Sequence, residues 1–396
     1  MTLKYFVFSA SFYFLAVTQV WSADNQRSGS GATAEEWRFI VSGDSRNCGD
    51  LIMPAIAADA VQFKPAFYWH LGDIRAIYEM DEDYAGELGP DGSLRLWDMD
   101  KYVLGAWDDF EQMQIKPFDQ NDIPFVLGIG NHETIKPKTR EQFVSRFSEW
   151  LGDPSQREQR HNSDSAQAYY SWVKDGIDFI YLDNSTSEQF DPTQMKWLYA
   201  RLKEAESNAA ITAIIVGMHK ALPNSRSNFH SMSESPEGTQ SGRCVYKRLA
   251  ELQSHKPVYV LSSHSHFVMT DLYNTPFWNN VGNVPGFLVG TAGAVRYRLP
   301  EKMPDGHEDA ADCINDGLRF CAQTDVYGYL VATVNAKGKR GAIEFRFRQI
   351  QEQGLPATVR KSFAPDTINV CFHGNKQMGP STDTTQTLPD GPCPIY

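Results

Sequence analysis

Five times along this chain an apolar, strand-like run stops at an Asp, Asn or His. The runs are "WRFIVSGD" (37–44), "AFYWHLGD" (66–73), "IPFVLGIGNHE" (123–133), "AIIVGMHK" (213–220) and "PVYVLSSHSH" (257–266). Asn and His are poor strand-core residues, so their place at the mouths of buried strands needs a reason. Between the runs lie stretches of helical spacing: "DLIMPAIAADAVQ" with Pro54 near its start, 98–115, 137–151, "DPTQMKWLYARLKEAE" with an N-cap at Asp191, and a helix around 243–254. "IDFIYLDN" (177–184) adds another strand. Alternation of strand and helix predicts an α/β fold, and open α/β sheets hold ligands at the carboxyl ends of their strands. From 286 to 350 the period changes, and "GFLVGTAGA", "GYLVATVNA" and "GAIEFRFRQI" read as successive strands of a second sheet packed on the first. The acidic stretch 80–97, with "GELGPDGS", reads as an excursion.

The residue types at the strand ends suit metal chemistry. A lone Asp after a strand is ordinarily a turn or cap residue. Five such ends in one chain shift the balance toward a shared site. His264 and His266 are two apart, so an extended segment points both the same way. Carboxylates, imidazoles and an amide oxygen together suit borderline or hard cations. A shared carboxylate can hold two ions about 3.5–4 Å apart, where they activate water and offset charge at phosphorus. No GxxxxGK[ST] loop and no GxGxxG fingerprint occurs, which removes two kinds of nucleotide fold. A formal net charge of -12 argues against an extended nucleic-acid surface. It leaves room for an anionic small substrate, because a local cluster of cations outweighs the global charge.

Taken in order, "SGDSRNC", "HLGDIR", "GNHE", "VGMHK" and "SSHSH" resemble the motifs of the calcineurin-like metallophosphoesterase superfamily, which includes the purple acid phosphatases. The resemblance implies a four-layer α/β sandwich with two central mixed β-sheets flanked by helices. It implies metal-dependent hydrolysis of phosphate monoesters or diesters, with one or two ions from Fe, Mn or Zn and a small phosphorylated substrate. Carried over residue by residue, Asp73 bridges both ions, Asp44 and His266 complete the first site, and Asn131, His219 and His264 complete the second. His132 stays outside the metal shell to bind a phosphate oxygen or protonate the leaving group, and Glu133 orients its ring. One departure matters. The family pattern begins Asp-x-His, whereas this chain has Asp44-Ser45-Arg46, and guanidinium is no metal ligand. The tyrosine that purple acid phosphatases place three residues past the bridging aspartate is Ala76 here. Water could fill the position, Tyr78 or Cys48 could bend into it, or Arg46 could lie over it and clamp phosphate, and water with the arginine clamp is the favoured combination. The loop 221–243 offers Arg226, His230, Ser231 and Glu234 as a substrate rim. Loss of the first-site histidine also supports a rival reading, a degenerate domain acting as a metal- or phosphate-binding receptor.

Residues 1–22 read as a secretory signal, 23–373 as the metallophosphoesterase domain and 374–396 as a loop-like tail stapled by a disulfide. No retained membrane segment is expected, and the location follows as periplasmic or secreted. Six cysteines in an oxidising compartment suggest disulfides. Local spacing favours Cys313 with Cys321 and Cys371 with Cys393, leaving Cys48 for Cys244. The oligomeric state is not legible.

Overall fold

The computed structural model describes residues 34–74, 99–135, 138–160, 166–185, 189–227, 230–298, 322–379 and 391–394. In chain order the strands are β1 (Trp37–Ser42), β2 (Tyr68–His70), β3 (Phe125–Leu127), β4 (Tyr170–Lys174), β5 (Ile177–Leu182), β6 (Ala213–Met218) and β7 (Val258–Ser262). Then come β8 (Val268–Met269), β9 (Gly286–Val289), β10 (Arg296–Arg298), β11 (Ala322–Gln323), β12 (Tyr327–Val334), β13 (Ile343–Ile350) and β14 (Lys376–Met378). A five-stranded sheet runs β13-β12-β1-β2-β3 and a seven-stranded sheet runs β11-β8-β9-β7-β6-β5-β4. Both are mixed: β1, β2 and β3 are mutually parallel while β12 is antiparallel to β1, and β5, β6, β7 and β9 are parallel while β4 and β8 are antiparallel. The late strands therefore do not build a sheet of their own, as their changed period suggested. β12 and β13 close the free edge of β1, and β8, β9 and β11 extend the other sheet.

Strand periodicity explains why two layers of core form. In β5, Ile177, Phe179 and Tyr181 join one buried cluster, while Ile180 and Leu182 join another. β7 divides in the same way, Tyr259 and Leu261 to the first and Val258 and Val260 to the second. A strand apolar on both faces must be covered on both faces. The part of the first cluster that lies between the sheets is aromatic. Phe39 of β1 stacks on Phe67 at 5.2 Å and meets Phe179 of β5 edge-on at 5.3 Å, and Phe345 of β13 lies 4.4 Å from Phe287 of β9. The second cluster is covered by the helices Pro192–Ser207 and Pro236–Gln253 through Leu198, Leu202, Leu249 and Leu252.

Helix boundaries follow capping chemistry. Asp191 accepts hydrogen bonds from the Thr193 and Gln194 N–H groups, as its sequence position predicts. The helix expected over 137–151 is confined to Arg140–Phe147, because Thr139 and Gln142 form a capping box, and it then tightens to a 3-10 turn over Ser148–Trp150. The helix expected around 243–254 starts earlier, at Pro236, where Ser235 accepts from the Gly238 N–H. Proline favours the first helical turn, so the apparent breaker is the start signal. Among the described residues no helix is long and apolar enough to cross a membrane.

The tail is not wholly loop-like, since β14 pairs in parallel with β10. The disulfides are Cys48–Cys371 and Cys244–Cys393, with Cα–Cα distances of 5.7 and 5.4 Å. The expected Cys371–Cys393 and Cys48–Cys244 pairs are thus incorrect. Spacing along the chain carried no information about which cysteines the folded sheets bring together. Cys313, Cys321, the segment 1–22 and the acidic excursion lie outside the described residues.

Candidate metal centre

The ends of the parallel strands lie level, with Ser42 of β1 beside His70 of β2 and His70 beside Leu127 of β3. Each chain then turns out of its sheet at a candidate ligand. Asp44, Asp73 and His264 have φ of 62°, 58° and 70°, left-handed values that side-chain-bearing residues adopt rarely. Such strain costs on the order of 1–3 kcal/mol per residue and concentrates at functional sites. The turns are stitched together: Asp44 N–H donates to the Gly72 carbonyl at 3.0 Å and Ser45 N–H to the Asp73 carbonyl at 2.9 Å. Glycines permit the approach. Gly72 has φ of 97°, and a Cβ there would sit 2.4 Å from the Gly130 nitrogen, while one on Gly130 would sit 2.2 Å from Asp73 Oδ1.

Ligand-type atoms converge where these turns meet. His219 Nε2 lies 3.2 Å from Asp73 Oδ2, 3.0 Å from Asn131 Oδ1 and 3.1 Å from His264 Nδ1. Its other nitrogen, Nδ1, is 3.0 Å from the Leu71 carbonyl, an acceptor that assigns a proton to Nδ1 and leaves Nε2 as the nitrogen facing the group. His266 Nδ1 likewise lies 2.8 Å from the Val295 carbonyl, and its Nε2 is 3.4 Å from Asp44 Oδ1. Asp44 Oδ2 accepts from the His264 N–H at 2.7 Å. Asp44 Oδ1, Asp73 Oδ2 and His264 Nε2 are buried and have no well-formed hydrogen bond. Two buried carboxylates with an oxygen each to spare are costly unless a cation meets them.

The electrostatics agree. Burial works to lower the His219 pKa, yet the Asp73 and Asp44 charges prevail and push it up to about 9. Burial works to raise Asp73, but the neighbouring His132, His219 and Arg46 hold it well below the usual carboxylate range. The centre therefore favours positive charge between its carboxylates, and the donor set of carboxylate, imidazole and amide oxygen fits a metal ion. Two groups bring their ligand atoms within 4.8 Å of one another: Asp73, His219 and His264, and His230, Glu234 and His264.

No protein-family description and no curated protein matches the chain. Solved structures do. A purple acid phosphatase from yellow lupin (Lupinus luteus) seeds superposes with a TM-score of 0.50 at 16% identity, over 80% of this chain and 52% of the phosphatase, so the chain spans about half that protein's length. The shared fold is an α/β sandwich of the calcineurin-like kind. PhoD matches with a TM-score of 0.47 at 15% identity, over 86% of this chain and 78% of that one. GAP50, the anchor in the inner membrane complex of Plasmodium, matches with a TM-score of 0.42 at 13% identity, over 88% and 98%.

Within this fold, the remaining sequence candidates fall in different places. His132 lies beside the group, its Nε2 3.6 Å from Asp73 Oδ2 and its backbone N–H 3.0 Å from Asp73 Oδ1. Burial, with the Arg46 charge adding to it, lowers its pKa to about 3. Arg46 is half-buried, and its charge acts on Asp73, His132 and His266, which locates the guanidinium at the same mouth. Glu133 was expected to orient His132. Instead its carboxylate accepts from the backbone N–H groups of Asp73 (2.9 Å), Ile74 (2.9 Å) and Gly130 (2.5 Å). It clamps the β2 and β3 turns together, because the 3-10 turn His132–Thr134 carries the two neighbouring side chains to different sides. Burial first, then the Asp73 charge, pushes its pKa up to about 8. Cys48 is bonded to Cys371 and has no thiolate to give a metal, which removes it as an extra ligand, and Tyr78 lies outside the described residues.

The four rim candidates divide. Arg226 Nε donates to the Asn274 carbonyl at 3.1 Å and so ties the loop to the 272–274 segment, while Ser231 Oγ accepts from the Ser233 N–H at 3.1 Å within the loop. His230 and Glu234 face the centre. The His230 ring lies flat on His264, with centroids 3.8 Å apart and planes 10° apart, and its Nδ1 is 3.2 Å from Glu234 Oε1. Three further residues support the centre. His70 Nδ1 accepts from the Gly72 N–H and its Nε2 meets Ser45 Oγ at 3.0 Å, so it braces both aspartate turns. Tyr297 stacks on His266 at 4.3 Å, and nothing in "VRYRL" marked it. Asn184 grips the Lys220 N–H and carbonyl at 3.0 and 2.7 Å, fixing the residue after His219. Its signal was present, since "IDFIYLDN" ends like the strands that stop at a candidate ligand.

Proposed function

We propose that this protein is a metal-dependent phosphoester hydrolase of the periplasm or extracellular space, acting on phosphate monoesters or diesters. The observation that carries the reading is the pair of buried, unsatisfied carboxylate oxygens of Asp44 and Asp73, each facing an imidazole nitrogen of His266 or His219. Asp73 would lie between two ions drawn from Fe, Mn or Zn, with Asp44 and His266 on one side and Asn131, His219 and His264 on the other. Such ions, when bound, make water nucleophilic near neutral pH and offset charge at phosphorus.

The chain's own groups supply the rest. Arg46, always cationic, balances phosphate charge at the mouth and compensates for the histidine absent from its position. His132, whose Nε2 lies 3.6 Å from Asp73 Oδ2, would stay outside the set that holds the ions and hydrogen-bond a phosphate oxygen or hand a proton to the departing alkoxide. The two disulfides suit an oxidising compartment. Release of residues 1–22 is checked by N-terminal sequencing of the exported protein.

The deciding experiment measures metal content and turnover of p-nitrophenyl phosphate and bis(p-nitrophenyl) phosphate before and after chelation. Loss of turnover with the metal and its return on adding Mn2+, Zn2+ or Fe2+ is expected. A fully loaded protein that binds phosphate but cleaves neither ester would instead be a receptor, the reading that Arg46 in place of a ligand favours.

A further inference from the structure

We propose that Glu234 is the positioning carboxylate of His264, and that His230 is the plate that fixes the plane in which His264 presents its Nδ1. The proposal rests on the metal-centre reading above and concerns how this chain supports one ligand of it.

His264 is the least supported imidazole of the centre. The turn that carries it is left-handed, and its Nδ1 faces His219 Nε2 at 3.1 Å. A ring that offers the Nδ1 lone pair must carry its proton on Nε2. That Nε2 is buried and has no hydrogen-bond partner, whereas His219 and His266 each turn their second nitrogen to a backbone carbonyl. A buried N–H left without an acceptor is expensive, and metal-ligating histidines ordinarily give that proton to a carboxylate or carbonyl.

Glu234 is the carboxylate in reach. Its oxygen, a nitrogen of His230 and a nitrogen of His264 all lie within 4.8 Å of one another. Two contacts hold it there: His230 Nδ1 at 3.2 Å from Oε1 and Lys220 Nζ at 3.0 Å from Oε2. Each oxygen keeps a further lone pair, so accepting the His264 proton breaks neither contact.

The same geometry argues against a separate ion between the two histidines. Imidazole nitrogens bind along their lone pairs, which lie in the ring plane. Rings stacked 10° apart with centroids at 3.8 Å would place a shared ion out of both planes, and the Lys220 ammonium on Glu234 would repel it. The group therefore acts on His264 from behind. It ties the residue after His219, through Lys220, to the ring of His264, so two ligands of the second site share one support.

The test is Zn2+ binding to the metal-stripped full chain, read by chelator competition and by metal analysis, with thermal unfolding of the metal-free protein as the folding control. Glu234→Gln is expected to weaken the more His264-dependent ion by about 10- to 100-fold, the range typical of outer-shell losses at metal sites. Glu234→Asp should recover part of it. His230→Phe, which keeps a flat ring, should bind as the wild type does, and His230→Ala should bind more weakly. Lys220→Met removes one of the two contacts that hold Glu234 but keeps the carboxylate and its His230 contact, so it should weaken binding by less than Glu234→Gln does. Wild-type affinity in Glu234→Gln overturns the proposal and leaves the metal centre standing. So does equal weakening in Glu234→Gln and Lys220→Met, or loss of a whole ion in both Glu234→Gln and His230→Phe, which would make these residues ligands. A wild-type chain that takes up no Zn2+, Mn2+ or Fe2+ overturns the metal-centre reading itself.

Discussion

At the scale of single residues, the centre divides into groups that would hold ions and groups that act beside them. Asp73 lies nearest to His219 and His132, with its Oδ2 3.2 and 3.6 Å from their ring nitrogens. Asp73→Asn is expected to strip most of the bound metal and to lower kcat by at least about 100-fold, checked by metal analysis beside steady-state kinetics. His132→Ala should leave the metal content near wild type and lower kcat by about 100- to 10,000-fold, the usual worth of a positioned proton donor. Parallel loss of metal and turnover in that variant would make His132 a ligand. Glu133→Gln tests the clamp. The amide keeps the shape but turns an N–H donor toward a cluster of backbone N–H donors, so about 1–3 kcal/mol of stability should go, seen as a lower thermal midpoint in the metal-free protein. The sequence made Asp44, Asp73, Asn131, His219, His264 and His266 legible, because each ends an apolar run and strand ends come to one edge of a sheet. It did not show that Glu133 faces backbone or that His230 covers His264, since both depend on how a turn curls.

At the scale of elements, β5 carries a penalty that the site does not explain. Asp178 lies on this buried strand, where burial pushes its carboxyl up to about 6 against the pull of the Arg201 guanidinium at 2.8 Å. An acid whose folded pKa exceeds its unfolded one stabilises the fold while protonated. That contribution is full below about pH 4 and disappears as the pH climbs through 6. Asp178→Asn should therefore lower the unfolding free energy at pH 4 relative to that at pH 7 by about 1–3 kcal/mol compared with wild type, measured by urea titration at both values. Helix and strand order were legible at this scale wherever apolar spacing was regular, as in 191–206. Boundaries moved where capping outvoted spacing, at Thr139 and at Ser235. The late strands were recognised as strands, but their sheet was not, because pairing of β12 with β1 is a long-range choice that local pattern does not encode.

At the scale of the whole molecule, the Cys48–Cys371 bridge closes a separation of 323 residues, two positions from Arg46. Cys371→Ser is expected to cost about 3–5 kcal/mol of stability, given the size of the closed loop, and to lower the thermal midpoint under non-reducing conditions. Wild-type protein held in reductant, which opens both bridges, should fall at least as far as the variant. The central placement of β1 has a consequence for biosynthesis. One edge of this strand is met by β2, but the other waits for β12, which begins only at Tyr327. A nascent chain shorter than that exposes an unpaired strand edge beside the Phe39, Phe67 and Phe179 rings, a template for stickiness between copies. Translation must thus run nearly to completion before the aromatic layer can close, so holdase chaperones that keep the polypeptide open until late would raise its yield, and C-terminal truncations before Tyr327 should emerge as inclusion bodies rather than as a smaller soluble protein.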